Sequence, residues 1–475
     1  MAEYSPMMQH YIATKNEYKD CILFYRLGDF YEMFFDDAVV ASKELELTLT
    51  GKDCGQKERA PMCGVPFHAA ETYINRLVSA GYKVAICEQM EDPKQAKGIV
   101  KREVIKVVTP GTNINTLGLD ETRNNYMMSI VYLGDNLGVS IADYSTGDFF
   151  VTELAGGSEL IDEINKFVPS EIIVNEYFAM SGINLDTVNT KLGIAMSTLD
   201  NWYFNEETCK KRLLEHFHME MLDGLGLKDY TVGIIASGAL LTYLYETQKS
   251  NMPHITLLPY SSGKYMLIDS SSRRNLELVE TMREKQKKGS LLWVLDKTKT
   301  AMGARMLRSY IEQPLINKDD IIKRQDCIQE LGDSLIDREE LREYLNPVYD
   351  IERIMTKISC KTANPRDLIA FRNTLEMLPH IKRIIGNFHS EEFAACYDKL
   401  DDLADLYELI NSAIVEEPPI SVRDGGIIKE GYSKEADELR DAKIKGKEWL
   451  SELEIREKER TGIKTLKVKY NKVFG

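Results

Sequence analysis

The segment from Cys21 to Asp37, CILFYRLGDFYEMFFDD, narrows the folds open to this chain more than any other. It carries six aromatic residues, Phe24, Tyr25, Phe30, Tyr31, Phe34 and Phe35, and Gly28-Asp29 interrupts it as a turn would. Before the break, ILFYRL has the bulky and β-branched content of a strand. After it, Phe30 and Glu32 stand two apart, so on an extended chain they point the same way. If that pair is exposed, the ring can stack or wedge while the carboxylate accepts a hydrogen bond. The competing expectation puts every aromatic in the core and Glu32 on the solvated edge, because aromatics are mostly buried.

At 475 residues the chain is too long for one core, and three or four domains are expected. No apolar run approaches the length of a membrane span, and MAEYSPMMQHY lacks the basic-then-apolar pattern of a signal peptide, so a cytoplasmic location is expected. The cysteines at 21, 54, 63, 87, 209, 327, 360 and 396 are scattered without a C-x-x-C pair, which suits reduced, packed thiols better than disulfides or zinc. Cys209, His216 and His218 could together suggest metal ligands, but they lie in a charged helical stretch without a fourth partner. No metal site is expected. The net charge of −15 argues against a surface coated for indiscriminate nucleic-acid binding, so any DNA contact must use local patches. One such patch closes the chain: residues 460 to 475 hold Arg460, Lys464, Lys467, Lys469 and Lys472 and no acid.

Residues 1–112 read as a small mixed α/β domain. Met7, Met8, Tyr11 and Ile12 mark an opening helix, and a second helix begins near Asp36-Asp37, acids that suit a helix N-terminus. A Gly/Pro-punctuated loop leads to a helix over 70–79 and a strand, KVAIC. A further strand is expected where Val104, Lys106 and Val108 alternate, before Pro110-Gly111. Lys94, Lys97, Lys101, Arg102 and Lys106 make this region mildly basic, which fits a solvated surface as well as phosphate contact. After a linker over 113–125, residues 126–250 read as a second α/β domain. Apolar residues alternate on both sides of Ser145-Thr146-Gly147 as in a hairpin, EIIVNE supplies another strand, and 229–248 a helix.

Residues 255–433 read as helical. Asp269-Ser270 caps a helix expected to carry Leu276, Leu278, Val279 and Met282. Ser290, Thr300 and Asn317 start further helices, and Pro314 stops the one after Thr300. Residues 434–475 open with one long charged helix to residue 461. Its narrow stripe of Leu439, Ala442, Gly446, Trp449 and Leu453 suits an exposed strut. After Gly462, IKTLKVKYN is expected to form a strand with Leu466, Val468 and Tyr470 on one face and Lys467, Lys469 and Asn471 on the other. A half-apolar strand with no later strand to pair with implies a truncated polypeptide.

FYRLGDFYEMFFDDA, CGVPFHAAETYINRLV, AICEQ and VVTPGT, in this order and spacing, closely resemble the N-terminal domain of the bacterial DNA mismatch-repair family MutS. LLPYSSGKYMLIDSSSRRNLEL, KKGSLLWVLDKTKTAMGARMLRSYIEQPL, TANPRDLIA and ERTGIKTLKVKYNKVFG resemble its core and clamp. The resemblance covers essentially the whole chain. It implies a multidomain α/β plus all-α protein: a mismatch-binding domain, a ribonuclease H-like connector, a helical core, and a lever helix leading into a truncated β clamp.

It places Phe30 and Glu32 on the family's Phe-x-Glu motif, as wedge and as hydrogen-bond acceptor for the mispaired base. Lys52, Arg102, Lys467, Lys469 and Asn471 become candidate DNA-backbone contacts. Many relatives carry a smaller residue at the position of Lys469. The implied partners are mismatched or looped-out double-stranded DNA, a second MutS subunit and MutL, with no membrane. ATP and Mg2+ are implied for the full-length family. No P-loop lies in these residues, however: Gly263-Lys264 lacks both the upstream Gly and the following Ser or Thr, so the chain alone is expected to be inactive as an ATPase.

Two other functions were open to the sequence. A structure-selective nuclease could use Asp143 and Asp148 of the ribonuclease H-like domain, although a two-metal site needs a converging cluster of acids and these suit turn and edge roles. An architectural protein with a wholly buried aromatic strand would bind DNA in a salt-dependent way without preferring mismatches.

Overall fold

The computed structural model describes residues 4–91, 100–114, 120–259, 265–463 and 465–467. The first unit contains helix α1 (Pro6–Glu17), strands β1 (Cys21–Leu27) and β2 (Phe30–Phe34), helix α2 (Phe35–Leu45), strands β3 (Thr50–Lys52) and β4 (Ala60–Pro66), helix α3 (Ala70–Ser79), and strands β5 (Lys83–Gln89) and β6 (Arg102–Val108). Its sheet has the order β3-β4-β2-β1-β5-β6, with β1 antiparallel to β2 and parallel to β5. Strand β1 is covered on both faces, which is why ILFY is a continuous apolar run. Ile22 and Phe24 pack with Met33, Leu77 and Val84 on the α2/α3 side, and Leu23 and Tyr25 pack with Met8, Tyr11 and Phe34 on the α1 side. Asp37, in the first turn of α2, is buried. It pairs with Lys15 Nζ at 2.8 Å and accepts the Leu23 N–H at 2.9 Å, so it ties α1, β1 and α2 together.

Strand β6 departs from the expected alternation. A register shift in its pairing with β5, between Ile86 and Cys87, leaves Val104 and Val107 on the α1 side and Val108 on the other, with Lys106 half-buried. A bulge offsets the two-residue period by one, so Val104, Lys106 and Val108 do not share one face.

The second unit contains β7 (Met127–Leu133), β8 (Asn136–Asp143), β9 (Asp148–Leu154), α4 (Gly157–Phe167), β10 (Glu171–Asn175), α5 (Asp186–Leu192), β11 (Ala195–Leu199), α6 (Glu206–Phe217), α7 (Val232–Gln248) and β12 (Thr256–Pro259). The sheet order is β11-β10-β7-β8-β9-β12. The hairpin β8–β9 closes at the expected turn. Helix α7 lies against this sheet so closely that a Cβ on Gly138 would sit 2.3 Å from the Val232 carbonyl, a contact only glycine allows. Strand β12, parallel to β9, extends this sheet past residue 250 into a stretch expected to begin the helical region.

The helical unit contains α8 (Ser270–Asn275), α9 (Leu291–Leu295), α10 (Ala301–Glu312), α11 (Lys318–Asp333), α12 (Leu335–Leu345), α13 (Ile351–Ser359), α14 (Pro365–Ile385), α15 (Glu391–Lys399), α16 (Ala404–Ala413) and α17 (Lys434–Thr461). The caps at Asp269, Ser290, Thr300 and Asn317 each accept backbone N–H groups, as their sequence positions imply. Helix α8, however, stops at Asn275, before Leu276, Leu278, Val279 and Met282. Glu277 turns into a left-handed conformation at φ 49°, and the carbonyls of Glu277 and Leu278 accept from Leu291 and Leu292 at the start of α9. A tertiary contact thus replaces the next helical turn. Phe371, Leu375 and Leu378 of α14 form a small core with Ile354 of α13 and Tyr407 and Ile410 of α16.

Helix α17 is capped by Ser433 and ends at Gly462, φ 71°. Its 28 residues span roughly 42 Å at 1.5 Å each. Leu439 and Trp449 on its apolar stripe are exposed. Residues 465–467, expected in a strand, form none. The rest of that strand, including Lys464, Lys469 and Asn471, and the Gly263-Lys264 pair lie outside the described residues.

Candidate nucleic-acid interface

Gly28 takes φ 61° at the first position of a two-residue turn, as a primed hairpin connection requires, and Leu27 faces Phe30 across it. Alternation along β2 then sends Tyr31 and Met33 into the α2/α3 core, and Phe30, Glu32 and Phe34 to the opposite face. At one end of that face α1 covers Phe34, whose ring meets Tyr11 edge-on at 4.9 Å. At the other end Phe30 is 48% exposed. The expectation that all six aromatics are core therefore fails at this residue, for a geometric reason: α1 reaches Phe34 but not the tip of the hairpin.

The tip is held rigidly. The Asp29 carbonyl accepts the Phe67 N–H at 2.9 Å, and the Arg26 guanidinium lies 3.8 Å over the Phe67 ring while donating to the Gly28 carbonyl. Tyr31 donates to Glu88 at 2.7 Å. Burial, followed by this carboxylate, pushes its hydroxyl pKa well up. The sequence offered no signal for this buttress, because Arg26, Phe67 and Glu88 meet only through the pairing of distant strands.

Glu32 lies between Tyr25 of β1 and Gly64 of β4, where a side chain at position 64 would approach its Cγ at 3.5 Å. Its carboxylate is 17% exposed and accepts from Lys52 Nζ at 2.5 Å; Lys52 is 32% exposed. Lys52, expected as a phosphate contact, is thus engaged by Glu32. The pair leaves the Glu32 carboxylate oriented and within reach of solvent.

Arg102 contradicts its expected role. Its side chain is buried: Nε donates to the Arg26 carbonyl at 2.8 Å, Nη1 to Val100 at 2.8 Å, and the guanidinium lies 5.2 Å over Tyr25. It braces the sheet edge and has no face to offer a phosphate. Lys467 is described and lies beyond α17, remote in sequence from Phe30.

Residues 5–116 match the family model of MutS domain I, residues 125–256 that of MutS domain II, and residues 271–469 that of MutS domain III. The chain belongs to the MutS family. The DNA mismatch repair protein MutS of Lachnoclostridium phytofermentans is 62% identical over 476 residues, covering 100% of this chain and 51% of that protein. The proteins of the same name from Ruminiclostridium cellulolyticum and Acetivibrio thermocellus are each 52% identical, covering 100% of this chain and 54% and 55% of their own lengths. The chain spans about half the length of these relatives. Phe30 and Glu32 therefore stand in MutS domain I, and the second sheet belongs to MutS domain II.

In domain II, Asp143 is buried and saturated by donors. It accepts the Asn125 N–H at 3.0 Å, Asn124 Nδ2 at 2.8 Å, the Ser145 N–H at 2.8 Å and the Ser145 hydroxyl at 2.7 Å. Asp148 accepts from Thr146 and Asn124. These bonds fasten the hairpin turn to the segment entering domain II, and no third acid joins them among the described residues. Cys209 is buried and donates to the Tyr203 carbonyl, and His216 bonds Tyr245 at 2.9 Å, so neither turns toward a common centre. No described helix is long and apolar enough to cross a membrane.

Burial, and then the neighbouring Asp143 carboxylate, push the Asp148 pKa up to about 6. The native state therefore holds this proton over a pH range in which the unfolded chain has released it. Stability contributed here is present below the ordinary carboxylate pKa and is lost as pH rises through about 6. Asp148→Asn is expected to stabilise the protein at pH 7.5 by about 1–2 kcal/mol. Thermal unfolding should show that advantage shrink to nothing near pH 4.

Proposed function

We propose that this chain recognises mismatched or looped-out double-stranded DNA, with Phe30 inserted at the defective step and Glu32 accepting a hydrogen bond from the displaced or mispaired base. One observation carries the reading: an exposed phenyl ring at the tip of a braced hairpin, with an oriented carboxylate beside it on the same face. The names of the relatives, DNA mismatch repair protein MutS, support it.

A mispaired step is already poorly stacked, so opening it for a ring costs less than opening a paired step. Selectivity then arises from deformation energy and needs no sequence code. A carboxylate near phosphates is electrostatically unfavourable, so Glu32 serves discrimination more than affinity. Lys52 shares its charge with Glu32 until a base replaces it. The exposed Lys57 and Arg59 between β3 and β4 join Lys467 as candidates for holding phosphates.

The family resemblance further implies a homodimer, MutL recruitment, and coupling to ATP and Mg2+ in a longer polypeptide. No sequence in these residues has the Gly-rich loop followed by Lys and Ser or Thr that would hold a triphosphate.

The test is binding to two duplexes of one sequence, with and without a single mispaired or extra base. Equal affinity would overturn the reading. Glu32→Gln is expected to keep total DNA binding within about threefold while reducing the ratio between the two duplexes about tenfold, the scale of one charge-assisted hydrogen bond. Loss of all binding would contradict that role.

A further inference from the structure

A cavity of about 820 Å3 lies where the three units meet. The end of α3 borders it, α4 and the α5–β11 connection supply the domain II wall, and α8 and α10 supply the domain III wall. In a chain of net charge −15, its lining is markedly basic. Lys166 enters from α4, Arg123 from the segment before β7, Arg273 from α8 and Arg308 from α10. Glu312, one helical turn beyond Arg308, is the acid at their centre, at 3.5 Å from Arg308.

Arg123 pairs with Asp120 at 3.4 Å, but the two domain III arginines are incompletely matched. Arg308 Nε is buried with no hydrogen-bond partner, and its side chain is 15% exposed. Arg273 spends two donors on the carbonyls of Ile268 and Glu312, which neutralise no charge. Lys166 is paired with Glu163 at 3.4 Å. Burial pushes Lys166 down to about 8, lowers Arg308 and raises Glu312, so desolvation disfavours the charged form of all three groups. Neighbouring Arg305 shows the contrast, with three ion-pair bonds to Asp350 and Glu352.

We propose that this cavity binds a small polyanion of the phosphate class, held by Arg308 and Arg273 from domain III and Lys166 from domain II, in competition with the Glu312 carboxylate. An occupant of two or more negative charges bridges the domain II and domain III walls and fastens one to the other. The site is separate from Phe30 and Glu32, and it does not depend on the proposed DNA function.

The experiment is titration calorimetry of this chain with inorganic pyrophosphate at low ionic strength, with sodium sulfate and sodium chloride in parallel. Saturable one-to-one binding that prefers pyrophosphate is expected. Arg308→Gln should weaken it about tenfold or more and Glu312→Gln should tighten it about tenfold, the worth of one charged hydrogen bond lost or one competing anion removed. Circular dichroism and thermal melting of both variants establish that each is folded. No saturable binding by the parent chain would overturn the proposal, as would equal effects of chloride and pyrophosphate at matched ionic strength. A folded Arg308→Gln variant that binds pyrophosphate as tightly as the parent would also overturn it.

Discussion

Replacing Phe30 with alanine is expected to abolish the preference for a mismatched over a fully paired duplex while leaving the fold and the affinity for paired DNA nearly unchanged. Phe30 is the first residue of β2, and its ring is 48% exposed. Truncating it opens no cavity in either core of domain I. The hairpin tip is held by the Arg26–Phe67 contact and the Asp29–Phe67 hydrogen bond, which the substitution does not touch. What disappears is the face that can stack against an unpaired base. Contacts of that kind are worth about 1–3 kcal/mol, so the ratio of affinities should fall about tenfold to a hundredfold. Anisotropy titrations with paired and mispaired duplexes at one fixed salt concentration read that ratio. A Phe30→Ala protein that still prefers the mispaired duplex would defeat the wedge assignment. Phe30→Tyr keeps the ring and should retain most of the preference.

Arg305→Leu should produce the largest loss of stability. Arg305 is almost wholly buried on α10, and its guanidinium makes bonds of 2.7 and 2.8 Å to Asp350, 2.6 Å to Glu352 and 2.8 Å to the Glu121 carbonyl. It therefore joins three segments: α10, the cap of α13 and the chain leading into domain II. Leucine would roughly fill the space of the arginine stem and leave two carboxylates facing each other with only Arg353, 3.8 Å from Asp350, as a counter-charge. Breaking such a pair by removing one partner costs about 3–5 kcal/mol, and the partial exposure of Glu352 places the expectation near the lower end. Denaturant unfolding should show it directly, and proteolysis should cut the segment around residues 120–125 earlier than in the parent. A change of less than about 1 kcal/mol, the usual worth of an exposed pair, would show that the hub is not structural.

The sequence made some features of this protein readable and concealed others. Gly28-Asp29 between aromatic runs located the hairpin, and the Ser145-Thr146-Gly147 turn located the second, because turn residues act within a few positions. Asp269, Ser290, Thr300 and Asn317 marked helix starts for the same reason: a cap bonds backbone groups two or three residues ahead. The stop of α8 was hidden, since Leu276 to Met282 keep helical spacing while their backbone is recruited by α9. Strand β12 was hidden too, because four residues carry too little pattern to outweigh the helical stretch that follows.

At the candidate interface the division is equally physical. Sequence alone determined that Phe30 and Glu32 share one face of a strand just past a tight turn, since strand geometry fixes the direction of alternate side chains. Membership of the MutS family was likewise carried by motifs in order along the chain. Only the tertiary structure decided that α1 covers Phe34 and leaves Phe30 bare, that Lys52 is held by Glu32, and that Arg102 turns inward to brace Arg26. Charge and spacing give the same reading for a cation that meets solvent and one that meets a carbonyl. Which of the two it meets depends on strands far apart in sequence, whose pairing no local pattern encodes.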